Sequence, residues 1–456
     1  MKRLFWVFFG SLGLVVLVGI VVAVRQPKPI VSAPLTLPDG TVVRIMGVTY
    51  GTKHFLGRPL ARFVAHVPAG VQVVLKRLLG SQAVLQASTT TFEPRLIVWL
   101  GHTTNNATAL AGSGYINAFL SDSSGFLSGD NASVYGWWSN PQDLQFQVFP
   151  RRDPVLVLYF FDHSATGGVT MCGSLPFANP FRGKFPQWQP EPLPATRRAG
   201  DVAVTLDKLS TGHDQNITQK SLQDGGRAIE FTTNRVDGQN RTVCAIHLHA
   251  LAGTNEVWQV ASEEVSDATG NRARNTSIGW GSSEDGYFTF APGLWTNEPA
   301  WKLHCEIKRA KGFGPGETFV FRDVPLGRLD ETNRLGCTTN FRGATVALVE
   351  VVRRAPSTNN TWSSEQLSQA HFTTAGLTND LHLDLLSART DSGTSLDSPS
   401  WSSGGAERTY SFRNIPREAK TADFTFAVQR SRWVEFVVKP EVGPFSLEYG
   451  PEPKAE

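Results

Sequence analysis

FTFAVQRSRWVEFVV, residues Phe424 to Val438, decides the fold class of this chain. In its first half Phe424, Phe426 and Val428 alternate with Thr425 and Ala427. In its second half Val434, Phe436 and Val438 alternate with Glu435 and Val437. Successive side chains of a strand point to opposite faces, so each half predicts a strand with one face in a core and one in water. Leu96 to Leu100 and Val155 to Phe161 are continuously apolar, as in strands covered on both faces. Gly, Asn, Asp and Ser separate these runs. Past the first segment, helix-like apolar spacing occurs only briefly, around Gln366 to Ala370. Many short strands between turn signals predict an all-β chain of two or three antiparallel β-sandwiches.

The first segment differs. Leu4 to Val24, LFWVFFGSLGLVVLVGIVVAV, is an apolar run with Ser11 as its one polar side chain. Lys2 and Arg3 precede it, and Arg25 and Lys28 follow. As a helix it would reach about 30 Å, the thickness of a bilayer core. Two readings stay open: an uncleaved transmembrane anchor, or a signal peptide with Val21-Val22-Ala23 as its cleavage site. The length favours the anchor, because signal peptides usually carry about 7 to 15 apolar residues. The tiny basic N-terminus is read as cytoplasmic, which places the bulk of the chain outside, periplasmic or on the cell surface. No later stretch is apolar for long enough to span.

The chain has 456 residues and a net charge of only +3. Its basic residues are scattered, which argues against nucleic acid as a partner. The expected divisions are an anchor at 4–24, a first β-sandwich at 35–182, a Pro-rich linker at 183–199 and two immunoglobulin-like sandwiches at 200–330 and 331–445. The linker, with KFPQWQPEPLPATRR at its centre, lacks ladder donors at its prolines and favours extended backbone. A faint repeat pairs ETFVFRDVP at Glu317 to Pro325 with RTYSFRNIP at Arg408 to Pro416. A second pairs Leu303-His-Cys-Glu-Ile307 with Leu381-His-Leu-Asp-Leu385.

Cys244, Trp258 and Cys305 follow the cysteine–tryptophan–cysteine order of an immunoglobulin core. Alternation turns all three inward. Cys244 and Cys305 are therefore either disulfide partners or two small buried hydrophobes. Leu303 stands where a tyrosine corner would be, which departs from that pattern. Cys172 and Cys337 complete the four cysteines, and none forms a CxxC pair.

Candidate sites each carry a plainer alternative. His247, His249, His304 and Glu306 would make a zinc site if their strands were neighbours, and otherwise form a wet sheet face. Glu263, Glu264, Asp267 and Asn271 offer oxygen ligands for calcium. A hairpin turn with Gly270 at positive φ and Asp267 bonded to its own backbone explains them better. Tyr135, Trp137 and Trp138, in VYGWWSNP, either stack on a sugar or anchor their loop. Asp162-His163-Ser164 are consecutive, so in a strand they alternate faces and cannot form a triad. HExxH, Gly-x-Ser-x-Gly and GxxxxGK are missing.

LPDGTVVRIMGVTYGT (Leu37 to Thr52), FANPFRGKFPQWQPEPLPATRRAGDVAVTLDKL (Phe177 to Leu209) and RSRWVEFVVKPE (Arg430 to Glu441) resemble segments of membrane-anchored β-sandwich proteins of planctomycete and verrucomicrobial bacteria. That resemblance implies a bacterial cell-envelope protein and brings no assigned activity. The expectation is a non-enzymatic binding or scaffolding module without cofactor or metal, partnered by the membrane and by envelope proteins. A carbohydrate-binding protein using Tyr135, Trp137 and Trp138, or an enzyme with an undetected site, is the alternative.

Overall fold

Strands account for most of the folded chain, and nearly all of their pairings are antiparallel. The computed structural model describes residues 32–449, apart from 39, 58, 80–84, 104–114, 123–126, 135–139, 164–168, 214, 222–226, 234–239, 251–254, 280–284, 291–292, 355–366, 379, 397–399, 405, 414 and 444. The apolar run at 4–24 lies outside the described residues. Among those residues, no helix is long and apolar enough to cross a membrane.

Three cores organise the strands. The first lies between two four-stranded sheets. One contains the long hairpin Val42–Leu56 with Ala87–Thr103; the other is built on Tyr115–Ser121, Val155–His163 and Val169–Ala178. Leu96 to Leu100 is buried on both faces, as its unbroken apolarity predicts. Leu96, Val98 and Leu100 enter the main core, while Ile97 and Trp99 join Leu56 behind it. Val155 to Phe161 departs from the expectation. Leu156, Leu158 and Phe160 are buried, while Val155 is exposed and Val157, Tyr159 and Phe161 are only half-buried, so that strand has one covered face.

Two helices, α1 (Pro59–His66) and α2 (Ala69–Leu79), fill the connection between the hairpin strands. Sequence reading missed both. Their valines are β-branched and mimic strand composition, and each helix is short. Conversely, the spacing around Gln366 to Ala370 leads into a strand, Ser368–Ala375, with Ser368, Ala370, Phe372 and Thr374 on its buried face.

The second core is wrapped by one curled sheet. Its order is Arg432–Val438, Trp301–Lys311, Val257–Asp267, Arg272–Gly279, Asp285–Phe290, Asn240–Ala250 and Val202–His213. The sheet's two ends approach each other: the Glu191 N–H donates to the Val437 carbonyl, and Arg432 donates to the Ala199 carbonyl. The expected linker is therefore tied down. Ala195–Ala199 is a strand paired with Val202–His213, and Glu191 bridges to Val438.

The division expected at 330 does not follow the strands. Thr318–Pro325 pairs with Thr421–Arg430, and Phe321, Val324 and Leu326 enter the third core. Arg432–Val438 returns to pair with Trp301–Lys311, and Val434, Phe436 and Val438 enter the second core. The third sandwich is thus inserted between two strands that are neighbours in the second. ETFVFRDVP and RTYSFRNIP lie in its two different sheets and share one core, so they are not equivalent strands of duplicated domains.

Both halves of the opening stretch are strands. Arg432–Val438 keeps one wet face, with Trp433 and Glu435 exposed. Thr421–Arg430 alternates only as far as Phe426; Ala427, Val428 and Gln429 are all buried. There the strand's outer face meets the second sandwich.

Candidate functional site

Ile45 and Gly47 flank a bulge in the long hairpin. The Met46 side chain there lies against Gly101 on the partner strand. A Cβ at Gly101 would sit 2.6 Å from the Met46 sulfur, so any larger residue there requires the Met46 side chain to shift. Beside this contact opens a cleft of about 790 Å³. Arg44, Gln86, His102 and Asn140 supply its polar lining; Pro34, Val42, Met46 and Pro141 supply the apolar part.

Hydrogen bonds fix two edges of the cleft. The Asn140 side-chain amide donates to the His102 carbonyl at 2.8 Å and accepts from the His102 N–H at 3.4 Å, imitating a strand partner. Ser32 holds the other edge: its N–H donates to the Ile45 carbonyl, and its hydroxyl accepts the Ile45 N–H at 2.9 Å. Ser32 and Pro34 both line the cleft. Ser32, at the cleft's rim, stands eight residues after Val24, where the apolar run ends.

No carboxylate lines the cleft among the described residues. Hydrolysis by a carboxylate pair, the usual glycosidase arrangement, has no residues here. The lining instead offers hydrogen-bond donors and a guanidinium beside apolar walls, which suits an uncharged polar or anionic ligand. Tyr135, Trp137 and Trp138 lie outside the described residues, shortly before Asn140 and Pro141 in sequence. Arg44, Gln86 and His102 carry no local motif and are brought together only by the hairpin register, so sequence reading did not find them.

The other candidates resolve into structure. Gly270 takes φ 91°, and the Asp267 carboxylate accepts from the N–H groups of Thr269 and Asn271, so Glu263 to Asp267 ends a strand and Asp267 to Asn271 is its hairpin turn. Asn271 also donates to the Phe149 carbonyl and accepts its N–H, docking the turn on the first sandwich. His247 and His249 stack on one strand, while His304 packs on Trp433 on another that is not its neighbour. Those histidines do not converge, and no group of metal-binding side chains occurs among the described residues.

Cys244 and Cys305 are both fully buried in the second core beside Trp258, and each is a free thiol. The expected inward orientation holds; the bond is not formed. Burial first, and the nearby Glu263 charge second, push the Cys305 thiol well up; the Cys244 thiol rises through burial, Cys305 and Glu263. Thiolate is the reactive form, so both behave as inert core residues.

Glu306 and His382 do meet, across the junction of the second and third sandwiches. The pair is 2.6 Å apart, and Ser262 donates to the other Glu306 oxygen at 2.7 Å. Burial alone would raise the Glu306 carboxyl; hydrogen bonds from Ser431, Ser262 and His382 outweigh it and leave the group below its ordinary range. Lys308 pairs with Asp384 beside it, and Arg309 with Glu256 and Glu317. These groups are consumed by partners and hold two sandwiches together.

No family model matches this chain, and no curated protein matches it.

Proposed function

We propose that this chain is a membrane-anchored, extracytoplasmic binding module of the cell envelope that acts without catalysis. The observation that carries the reading is the place of Ser32 on the rim of the cleft, eight residues beyond a run long enough to span a bilayer. Eight residue steps reach at most about 29 Å, so a ligand in the cleft would be held close to the membrane surface. The second and third sandwiches would then act as spacers and as faces for envelope proteins. The order of strands in the second sandwich supports an immunoglobulin-like reading of it. The strand carrying Cys305 lies beside the strand carrying Trp258, as in that fold, and the Cys244 strand faces them across the core, though it is joined to them in one curled sheet where that fold has two.

A second reading, that the cleft takes a sugar, is favoured by one observation: Asn140 and Pro141 line it, and in the sequence only Ser139 separates them from Trp137 and Trp138. The first reading is tested by treating intact cells with an impermeant crosslinker. Crosslinks from the full chain to other envelope proteins are expected, and their absence contradicts it. The second is tested by titrating the detergent-solubilised chain with envelope polysaccharide fragments. A saturable change in tryptophan fluorescence, lost in Trp137→Ala and Trp138→Ala, is expected. No saturable response to any fragment contradicts the sugar reading.

A further inference from the structure

We propose that helix α2, with Phe92, forms a second and peripheral contact with an anionic bilayer surface. The inference rests on the anchored reading above and extends it to a new site.

The helix is only half used by the fold. Gln72, Leu75 and Leu79, at helical spacing, are half-buried, and none of its residues is fully buried. On an adjoining face Val71, Val74 and Leu78, also three and four apart, are 38%, 55% and 76% exposed. Phe92, at the tip of a bulge in the partner strand, is completely exposed. That bulge lies three residues along the hairpin from Leu56, where the helices attach. A soluble domain seldom leaves so many large apolar side chains open at one end.

Charge decides the occupant. Between Thr41 and Thr103 the sequence holds seven arginines and lysines and one carboxylate, Glu93, while the whole chain is only +3. Glu93 faces Arg274 of the second sandwich at 3.5 Å. Arg44, Lys53, Lys76 and Arg77 are exposed. Apolar side chains bordered by basic ones partition into the headgroup region of anionic lipid, each positive charge adding to the attraction. A protein partner with an apolar groove would not need this excess of positive charge. The bulged hairpin bends back on itself, so Leu56 packs against Trp99 and Met46, and Gln86 beside Leu56 lines the same cleft as Arg44. The anchor and the helix contact would therefore hold the same end of the first sandwich, and its cleft, close to the membrane.

The test uses the full chain reconstituted in phosphatidylcholine vesicles, with or without about one-third phosphatidylserine. Cys172 and Cys337 are replaced by serine. An environment-sensitive fluorophore is attached at Leu78→Cys, or at Val442→Cys as an exposed apolar control site. At position 78 the emission should shift to the blue and be quenched by spin-labelled lipid, only with phosphatidylserine present. The effect should weaken at about 1 M salt, where screening cuts the field to about 3 Å. Val74→Glu should lower the inserted fraction at least about fivefold. Position 442 should remain in water. A chain that floats with the vesicles while its fluorophore at 78 stays in water overturns this contact and leaves the anchor standing. A chain that does not float overturns the anchor, and the inference with it.

Discussion

The junction of the second and third sandwiches and the outer end of the first are built by opposite rules. At the junction most polar groups are covered and bonded to partners of opposite character. Gln429 donates to the Arg309 carbonyl and accepts the Arg309 N–H, and its amide also reaches Asp384. Arg309 lies between two carboxylates, and Glu306 meets His382. At the outer end of the first sandwich apolar groups stay open, with basic residues around them. Buried charge is tolerated only when paired, so the junction is committed to one arrangement. Exposed valine and leucine cost the folded chain little and leave a face free for another phase.

The largest break to expect comes from the strand both regions depend on for contrast. Phe436→Ala empties the second core, although its residue number falls beyond the inserted sandwich. It should destabilise by about 3–5 kcal/mol in denaturant unfolding. A loss under about 1 kcal/mol would mean that the C-terminal strand does not belong to that core.

Arg309→Met tests the junction itself. It strands Glu256 and Glu317 without their shared cation, and a loss of about 3 kcal/mol is expected. The third sandwich should unfold separately or become sensitive to protease near Lys311.

Acid sharpens the comparison further. Glu306 and Glu317 both titrate below the ordinary value of 4.5 in the folded chain. A lowered folded pKa gives stability that is present above the unfolded value and lost as pH falls through the folded one. Stability should therefore drop as pH falls below the ordinary value of 4.5, and Glu306→Gln should flatten that drop. An unchanged acid profile in Glu306→Gln would remove Glu306 from the account.

The smallest effect belongs to the open face. Val74→Glu should change unfolding stability by no more than about 0.5 kcal/mol, because the side chain packs on little. A loss comparable to Phe436→Ala would show that the helix face is a core.

How much of this was legible follows the same division. Alternation located the strands around Phe424 and Phe436, and it turned Cys244, Trp258 and Cys305 inward, because period-two patterning records one buried face. It did not record which sheet a strand joins. Phe319 and Phe436 lie over a hundred residues apart and belong to different cores, and that assignment depends on pairing register between distant segments. Local chemistry also sufficed for the Asp267 turn. It failed for the cleft, because Arg44, Gln86, His102 and Asn140 are ordinary residues until the hairpin bulge and the Asn140–His102 bonds place them together. His382 and Glu306 were visible as outward residues, but their meeting required the inserted sandwich to fold back on its host.

One measurement tests the central claim most directly. Cys337 is exposed on the third sandwich, while Cys244 and Cys305 are buried. Intact spheroplasts carrying the full chain are treated with a membrane-impermeant maleimide and then fractionated. The account predicts that Cys337 is labelled before lysis and that the labelled chain sediments with the membranes. Labelling only after lysis, or a labelled chain in the soluble fraction, would contradict it.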